Sequence, residues 1–421
     1  MGEHGMGERG MVNAAASGPN TPASGPLAGI SVLELGTMYA APTAGRMLRD
    51  FGAVVTKVED PAAGDYARNW TPQKDGLSLG FSRLNAGKRS VGIDLRAPDG
   101  RDLVRRLAAK ADVVIESFRP GRLEKWGIGY DVLAADNPGL ILTRVSGWGQ
   151  TGPYQGRPGF GTVAETASGF AFVNGWPDKP PTSPPFGFAD SIAGISAAMG
   201  TAMALYQRER TGRGEVIDVA LYEPLMFIVG DMILKYTGLG EIQGRVGNGT
   251  GSASPRGIYQ AADGGWLSIA ASNEVIARRL FLAMGSPELS DDPRFATNPA
   301  RMANNDAIQQ LVISWVAARP RAEILKILDE FEVVSAAVND ARDIVADPHF
   351  RDRTLVELTG SDVLGSVLMP GPILHVASAA GPSYDGVPEI GEHTRAVLTE
   401  MLQLTPAELD GLSGRGIIGP S

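Results

Sequence analysis

The pattern of apolar and polar positions predicts strands that alternate with helices from Leu27 onward. Short apolar runs typical of strands precede segments in which apolar residues recur every three or four positions, as on one helix face. Such alternation favours an α/β fold with a largely parallel, doubly wound sheet, whose ligands are expected in the loops after the strands. The predicted strands of this part are Ile30–Leu35, Val54–Val58, Ser90–Leu95, Asp112–Phe118 and Leu140–Ser146.

The pattern changes in the second half of the chain. Residues 238–255 are rich in Gly, Ser, Asn and Thr, which predicts a long loop. A hairpin around Asp263-Gly264, three helices and a strand at Val333–Val338 then predict a small α+β domain. We therefore divide the chain into a disordered leader (1–25), the first part of a large domain (26–237), the small domain with its Gly-rich loop (238–350), and a linker that returns to the large domain (351–421).

One helix with many small residues stands out between Pro184 and Glu223. Its apolar residues recur at helical spacing, so we expect the helix to be buried on most of its circumference; they are Ile192, Ile195, Met199, Ala202, Met203 and Leu205. A single carboxylate, Asp190, stands at its beginning. Asp190 is either an ordinary N-cap or a carboxylate that the helix amides keep ionised and aimed at a substrate. The two interpretations are compatible, and the pattern leaves both open.

Composition and charge exclude several classes of function. The chain has 421 residues, 38 basic against 47 acidic side chains for a net charge of −9, and no cysteine. The acidic balance gives no global attraction to nucleic acid or anionic membranes. The lack of cysteine excludes disulfides and thiolate catalysis and fits a reducing compartment, so we expect the cytoplasm. No apolar run approaches the ~18 residues of a membrane span, and the first 25 residues lack a signal-peptide core.

Two short motifs match known sites without their structural context. Residues 147–152 read G-x-G-x-x-G, but Pro153 and Pro158 follow, which forbids the helix that a dinucleotide site requires. We expect these glycines to let the backbone approach a ligand or another chain instead. Residues 76–80 read G-x-S-x-G in a loop-rich region with no suitable histidine, which argues against a serine hydrolase. Four scattered histidines make a metal site improbable.

Basic residues near the predicted strand ends are candidates for binding phosphate groups, although a solvated surface is the plainer interpretation. They are Lys88, Arg89, Arg96, Arg119, Lys125 and Arg157.

Taken together, the motifs resemble those of the class III coenzyme A-transferases, a family that also contains α-methylacyl-CoA racemase. The resemblance runs from Pro26 to about Gly416, nearly the whole chain after the leader. Its marks, in order, are PLAGISVLELGTMYAAPTAGRMLRDFGAVVTKVE, NAGKRSVGIDL, ADVVIESFRPGRLEKWGIGY, GFADSIAG, TGRGEVIDVALYE and IGEHTRAVL.

The resemblance implies a site and an assembly. The family's catalytic aspartate corresponds to Asp190, and the loop of Gly247, Asn248, Gly249, Thr250 and Gly251 would cover the active site. A CoA thioester would be the substrate, with no tightly bound cofactor or metal. The fold would be a Rossmann-like large domain plus a small domain, in an interlocked homodimer. CoA contacts are implied for Tyr39, Ala40, Asp94, Leu95, Arg96, Ala97, Ser117, Phe118, Arg119, Lys125, Arg157, Gly159 and Phe160.

One departure separates the activities of the family. The racemase branch has a histidine-aspartate pair where this chain has Phe160-Gly161. Racemisation needs a proton acceptor on each face of the α-carbon, and Phe160 cannot serve. The sequence therefore favours CoA transfer between an acyl-CoA and a carboxylic acid. The alternatives are an acyl-CoA racemase or isomerase with another second base, and a non-catalytic CoA-binding scaffold.

Overall fold

The structure, a computed structural model, describes residues 25–377, 379 and 381–419. Apart from Gly25, the predicted leader lies outside the described residues. The strands are β1 (Ser31–Glu34), β2 (Val54–Glu59), β3 (Gln73–Lys74), β4 (Leu77–Ser78), β5 (Arg89–Gly92), β6 (Val113–Glu116), β7 (Ile141–Ser146), β8 (Val216–Ala220), β9 (Arg256–Gln260), β10 (Trp266–Ala270), β11 (Ser335–Ala337), β12 (Leu355–Ser361), β13 (Gly365–Pro370) and β14 (Tyr384–Asp385).

Helices follow most of the strands. They are α1 (Ala40–Asp50), α2 (Leu79–Asn85), α3 (Pro98–Ala108), α4 (Arg122–Lys125), α5 (Tyr130–Asp136), α6 (Gly161–Ala167), α7 (Phe170–Val173), α8 (Phe188–Thr211), α9 (Glu223–Ile228), α10 (Asp231–Leu239), α11 (Glu274–Ala283), α12 (Asn298–Ala303), α13 (Asn305–Ala317), α14 (Arg321–Glu330), α15 (Ala341–Ala346), α16 (Pro348–Arg353), α17 (Thr394–Leu402) and α18 (Pro406–Gly414).

The chain forms two compact units. The larger takes the described residues up to 164, residues 186–225 and those from 353 onward, and the smaller takes 165–185 and 226–352. The sequence predicts residues 165–185 and 226–237 to be part of the large domain, but in the structure they belong to the smaller unit. The reason is local packing: Arg245 donates hydrogen bonds to the carbonyls of Trp176 and Phe172, and a Cβ added at Gly169 would lie 2.1 Å from the methyl carbon of Met232.

A six-stranded parallel sheet forms the centre of the larger unit, in the order β5-β2-β1-β6-β7-β8. Counted along the chain, this is the order 3-2-1-4-5-6 of Rossmann folds. Successive side chains of the strands pack on opposite faces of the sheet. Val32 and Ile115 pack on one face with α1 and α8, while Leu33 and Val114 pack on the other face with α3 and α17. The predicted α/β class and parallel sheet are confirmed, and the C-terminal helices return to this unit.

Helix α8 buries its small residues and exposes its large ones. Ala193 and Ala197 are fully buried, and a Cβ added at Gly194 would lie 2.6 Å from the carbonyl oxygen of Ala40 in α1. By contrast, Met199 is 57% exposed and Met203 61% exposed. The prediction that this helix is buried on most of its circumference was therefore wrong at these methionines, because α1 approaches too closely for large side chains on the shared face.

The same helix is long and apolar enough to cross a membrane, by length and composition only. No segment of this kind was expected from the apolar runs of the sequence. This is weak evidence for a membrane, since core helices meet the same criteria, and α8 packs on α1, β7 and β8.

The smaller unit contains the antiparallel sheet β11-β10-β9. Its β9–β10 hairpin turns where predicted, with the amide of Ala261 donating to the carbonyl of Gly265 at 2.8 Å. Helices α11, α13 and α14 cover the sheet with a core of Leu267, Phe281 and Val312. A second small sheet, β13-β12-β14, belongs to the larger unit and was not predicted from the sequence.

Candidate active site

The strand order of the central sheet reverses between β1 and β6, which opens a crevice at their carboxyl ends. The loops that follow these strands are in contact: the amide of Thr37 donates to the hydroxyl of Ser117 at 3.2 Å. Tyr39 is the N-cap of α1, and Phe118 donates its amide to Glu116 at 2.6 Å. The fold therefore brings the residues predicted from both loops to one crevice, and these are Tyr39, Ala40, Ser117, Phe118 and Arg119.

Two cations in the segment that follows β6 have no counter-ion within the described chain. Arg119 and Lys125 are exposed, and within the described chain neither forms a salt bridge. Arg96 follows the edge strand β5 in the predicted stretch Asp94–Ala97, but Asp94 binds it at 2.7 Å. Arg157 stacks on the ring of Tyr154 with its guanidinium carbon 3.6 Å from the ring centre. Arg119 and Lys125 are thus the best placed of these residues to meet phosphate groups.

Lys88 and Arg89 are not at this edge of the sheet. Arg89 begins β5, so both residues lie at the amino end of that strand. The ammonium of Lys88 is fully buried and donates to Glu34 at 2.7 Å, while Arg89 pairs with Glu400 at 2.9 Å. The expectation that these two residues join the phosphate-binding cations is therefore corrected, because adjacency to a strand does not say which end of it faces the ligand.

A buried ionic network fixes the loop after β1. Lys57 forms salt bridges with Glu34 at 3.0 Å and with Asp65 at 2.8 Å. Its ammonium also donates to the carbonyl of Gly36, and Asp65 accepts from the amide of Met38. Burial alone would lower the pKa of Lys57, but the two carboxylates outweigh it and raise that pKa above its ordinary value. The network therefore holds the backbone on which Tyr39 is mounted.

Asp190 is the third residue of α8 rather than its N-cap, which is Gly187. Its side chain is half-buried, at the positive end of a 24-residue helix that favours an anion. A Cβ added at Gly161 would lie only 2.1 Å from Oδ2 of Asp190, and one added at Gly187 would lie 3.2 Å from the ring of Tyr39. The carboxylate thus stands beside Gly161, and its helix begins against Tyr39.

The loop after β7 brings Phe160 and Gly161 to this carboxylate. A Cβ added at Gly147 would lie 2.6 Å from Cα of Gly159, so the two ends of the loop touch through their backbones. The indole of Trp148 donates to the carbonyl of Pro158 at 3.0 Å and closes the same loop. Gly147 of the G-x-G-x-x-G segment therefore allows a close backbone approach to Gly159 of the same chain. The approach of a ligand or another chain, which the sequence led us to expect, stays a prediction.

Arg83 is a residue of the site that sequence reasoning missed. It donates to the hydroxyl of Tyr39 at 2.6 Å, and within the described chain it forms no salt bridge. The centre of the ring of Trp70 lies 6.1 Å from the centre of the ring of Tyr39. No motif marks Arg83, because its place depends on how α2 packs on α1.

The loop of residues 247–251 lies in the smaller unit, between α10 and β9. Gly247 has a φ of +64°, and a Cβ there would lie 3.1 Å from the indole nitrogen of Trp176. Glycine is therefore required at this turn. The role of the loop over the active site stays a prediction.

Comparisons with known proteins identify the family of this chain. A family model described as CoA-transferase family III matches residues 27–394. A succinyl-CoA–D-citramalate CoA-transferase of Chloroflexus aurantiacus is 40% identical over 395 residues, 93% of this chain and 98% of that protein. A succinate–glutarate CoA-transferase of Agrobacterium fabrum is 36% identical over 386 residues, 89% and 96% of the two chains.

A solved structure is similar as well. The crystal structure of a CAIB/BAIF family protein from Brucella suis has a TM-score of 0.79 and 35% identity, and the match covers 90% of this chain and 100% of that one. On these matches the chain belongs to CoA-transferase family III and is a CoA-transferase.

Proposed function

We propose that the enzyme transfers coenzyme A with Asp190 as its nucleophile. The observation that carries the proposal is a half-buried carboxylate in the first turn of α8, beside Gly161, on a helix whose N-cap Gly187 adjoins the ring of Tyr39. The crevice of Tyr39 also contains Arg119, a cation with no counter-ion in the described chain. A nucleophile next to a place for a nucleotide phosphate is what CoA transfer requires.

The reaction proceeds by exchange of acyl groups on Asp190. The carboxylate attacks the donor thioester, and the C–S bond breaks to give an aspartyl anhydride and CoA thiolate. The thiolate attacks the aspartyl carbonyl, which releases the donor acid and leaves an aspartyl-CoA thioester. The acceptor carboxylate then displaces the thiolate to form a second anhydride. Attack of the thiolate on its acceptor carbonyl gives the new acyl-CoA and restores Asp190.

We infer that the substrates are small dicarboxylic acids and their CoA thioesters. The relatives named above act on succinyl-CoA, citramalate, succinate and glutarate. A third relative of Chloroflexus aurantiacus, the alpha subunit of a succinyl-CoA–L-malate CoA-transferase, is 37% identical over 414 residues, 96% of each chain. Each of these acids carries two carboxylates, so one can react while the other is available for recognition.

We also infer that the chain works as an interlocked homodimer in the cytoplasm. The exposed face of α8 supports the assembly, since Ile195, Met199, Met203 and Tyr206 share one side of that helix and are 39%, 57%, 61% and 69% exposed. An apolar stripe of this kind is typical of a surface that a partner covers.

Replacement of Asp190 by asparagine tests the mechanism. Asp190→Asn keeps the size of the side chain, so we expect normal folding and binding of CoA with a loss of transfer of at least about 1000-fold. Asp131→Asn is the matched control, because Asp131 is an exposed aspartate in the first turn of α5. Substantial transfer by the Asp190 variant would refute the proposal.

Trapping of the intermediate gives a second test. Incubation of the wild-type enzyme with succinyl-CoA and hydroxylamine should leave a hydroxamate on the peptide that contains Asp190, detected by mass spectrometry. Incorporation of solvent deuterium at the α-carbon of an acyl-CoA, without any acceptor acid, would instead favour a racemase or isomerase.

A further inference from the structure

The smaller unit contains a cavity of about 680 Å³ along the free edge of β9. Its walls come from β9, from α13 and from the loop of residues 246–251. Binding sites for small molecules typically have volumes of about 300–1000 Å³, so the cavity is of suitable size. Its apolar walls include Ile258, Trp266, Met302 and Ile313.

The charge of the cavity is positive and uncompensated. Arg256 is the one charged residue among those that line it, all of which lie within the described chain. The guanidinium of Arg256 forms no salt bridge with any described residue. Arg256 is exposed and has no counter-ion among the described residues, so its guanidinium is available to pair with a negatively charged ligand.

A second arginine lies behind the wall. Arg301 is 1% exposed, and it donates to the carbonyls of Ser254 at 2.6 Å and Phe295 at 3.0 Å. Its Nη2 has no hydrogen-bond partner among the described residues. Burial lowers the pKa of Arg301 by more than the negative charge of Glu274 raises it. Arg301 and Glu274 form no salt bridge. Arg301 therefore adds to the positive potential at the cavity.

Hydrogen bonds orient the amides of the cavity as donors. The hydroxyl of Tyr259 donates to Oε1 of Gln309 at 2.8 Å, and the hydroxyl of Ser254 donates to Oδ1 of Asn305 at 2.8 Å. These bonds occupy the two amide oxygens, so the amide nitrogen of Asn305 is left to donate. Both residues line the cavity.

The strand edge supplies a further donor. The carbonyl of Pro255 accepts from Ala271, and the amide of Ala261 donates to Gly265, so the odd-numbered residues of the strand bond to β10. In an antiparallel pair the intervening residues point their backbone groups the other way. The amide of Ile258 therefore points to the free edge, where the cavity lies.

We propose that this cavity binds a carboxylate, and that it holds one end of a small dicarboxylic acid. Arg256 and the amide donors suit a single negative charge, because a carboxylate accepts up to about four hydrogen bonds and pairs well with one guanidinium. The apolar walls suit the methylene groups between two carboxylates. That the bound acid is a substrate rests on the proposed function, whereas the binding of a carboxylate does not.

Calorimetric titration of the Asp190→Asn variant with succinate tests the site directly, because succinate without an acyl-CoA donor cannot be turned over. We expect saturable binding of succinate, which Arg256→Gln in the same background weakens by about tenfold or more through loss of a charged hydrogen-bond donor. Gln309→Glu is a second variant: it keeps an acceptor for Tyr259 but brings a negative charge to the cavity, so it should weaken binding as well.

Arg278→Gln is the matched control, since Arg278 is exposed in α11 and does not line the cavity. It should bind succinate like the parent. Equal binding by the parent, the Arg256 variant and the Gln309 variant would overturn the proposal, and so would the absence of succinate binding to the parent. Circular dichroism melting of each variant separates loss of the site from loss of the fold.

Steady-state turnover, measured with enzymes that retain Asp190, distinguishes the proposed mechanism from the proposed carboxylate site. Arg256→Gln should raise KM for succinate as acceptor while leaving KM for butyrate and the affinity for CoA unchanged. If Asp190→Asn retains transfer, the proposed mechanism fails while the carboxylate site stands. If Asp190→Asn is inactive and Arg256→Gln behaves like the wild type with succinate, the site fails and the mechanism stands.

Discussion

The carboxylate of Asp190 lies so close to Gly161 that no side chain fits at that position. A single methyl group at this position, introduced by Gly161→Ala, would lie 2.1 Å from Oδ2 of Asp190. Ordinary van der Waals contacts of a Cβ begin at 3.4 Å. The carboxylate oxygen must therefore move by 3.4 − 2.1, about 1.3 Å, or the backbone of Gly161 must retreat by a similar distance.

This displacement sets the expected magnitude. Misplacement of a reacting group by about 1 Å costs about 100-fold in rate, which corresponds to about 2.7 kcal/mol of activation free energy. The fold should tolerate the change, because Gly161 does not have a positive φ and because alanine in a helix is favoured over glycine by about 1 kcal/mol. We therefore expect kcat to fall about 100-fold with a nearly unchanged melting temperature.

The assay is steady-state transfer of CoA from succinyl-CoA to glutarate, followed by chromatography of the thioesters. Gly156→Ala is the matched control: it lies in the same loop, and a Cβ there would meet no atom within 4 Å. Gly156→Ala should retain the wild-type kcat. A Gly161→Ala enzyme with more than half of the wild-type kcat would refute the reasoning, since Asp190 would then be insensitive to its position.

Three further predictions follow from charges and exposure. Arg119→Gln should weaken CoA binding about tenfold at low salt with kcat retained, and the difference should shrink at about 1 M salt; Arg105→Gln, whose parent residue is paired with Asp136 at 2.6 Å, should bind CoA normally. Burial lowers the pKa of Lys88 to about 8, from an ordinary 10.5. Between pH 8 and pH 10.5 the unfolded chain therefore binds more protons than the folded chain. In urea unfolding, the free energy of unfolding of the wild type should rise by about 1 kcal/mol per pH unit relative to that of Lys88→Met. A difference between the two free energies that does not change with pH would contradict the lowered pKa. Met203→Glu should shift the sedimentation of the protein toward the monomer, and a variant that sediments like the wild type would remove the exposed face of α8 from the proposed interface.

The predicted cations show how far sequence reasoning about the site can reach. Arg119 follows β6, and the parallel sheet places it at the carboxyl edge, where ligands are expected in open α/β sheets. Lys88 is equally close to a strand in the sequence, yet it is buried against Glu34, which lies 54 positions away. A run of basic residues does not reveal which of them will be paired inside the protein, because the counter-ion comes from a distant part of the chain.

Helix α8 gives the same lesson for packing. Its position and its terminal Asp190 were predictable from composition and spacing. Its buried face was not, because small residues are buried where α1 comes close, and apolar periodicity cannot distinguish that face from one that a partner would cover. Arg83 was missed for the same reason, since only the packing of α2 on α1 brings it to the hydroxyl of Tyr39.

The sequence by itself determined the α/β class, the parallel sheet, the hairpin at Asp263-Gly264 and the segment that contains Asp190, because these depend on local periodicity, turn residues and family motifs. The tertiary structure alone decided that Gly161 stands against Asp190, that Lys88 is withdrawn into a buried network, and that Arg256 lines a cavity without a counter-ion. These are contacts between residues far apart in the chain. Their geometry follows from how strands and helices pack in space, and no local pattern of residues encodes it.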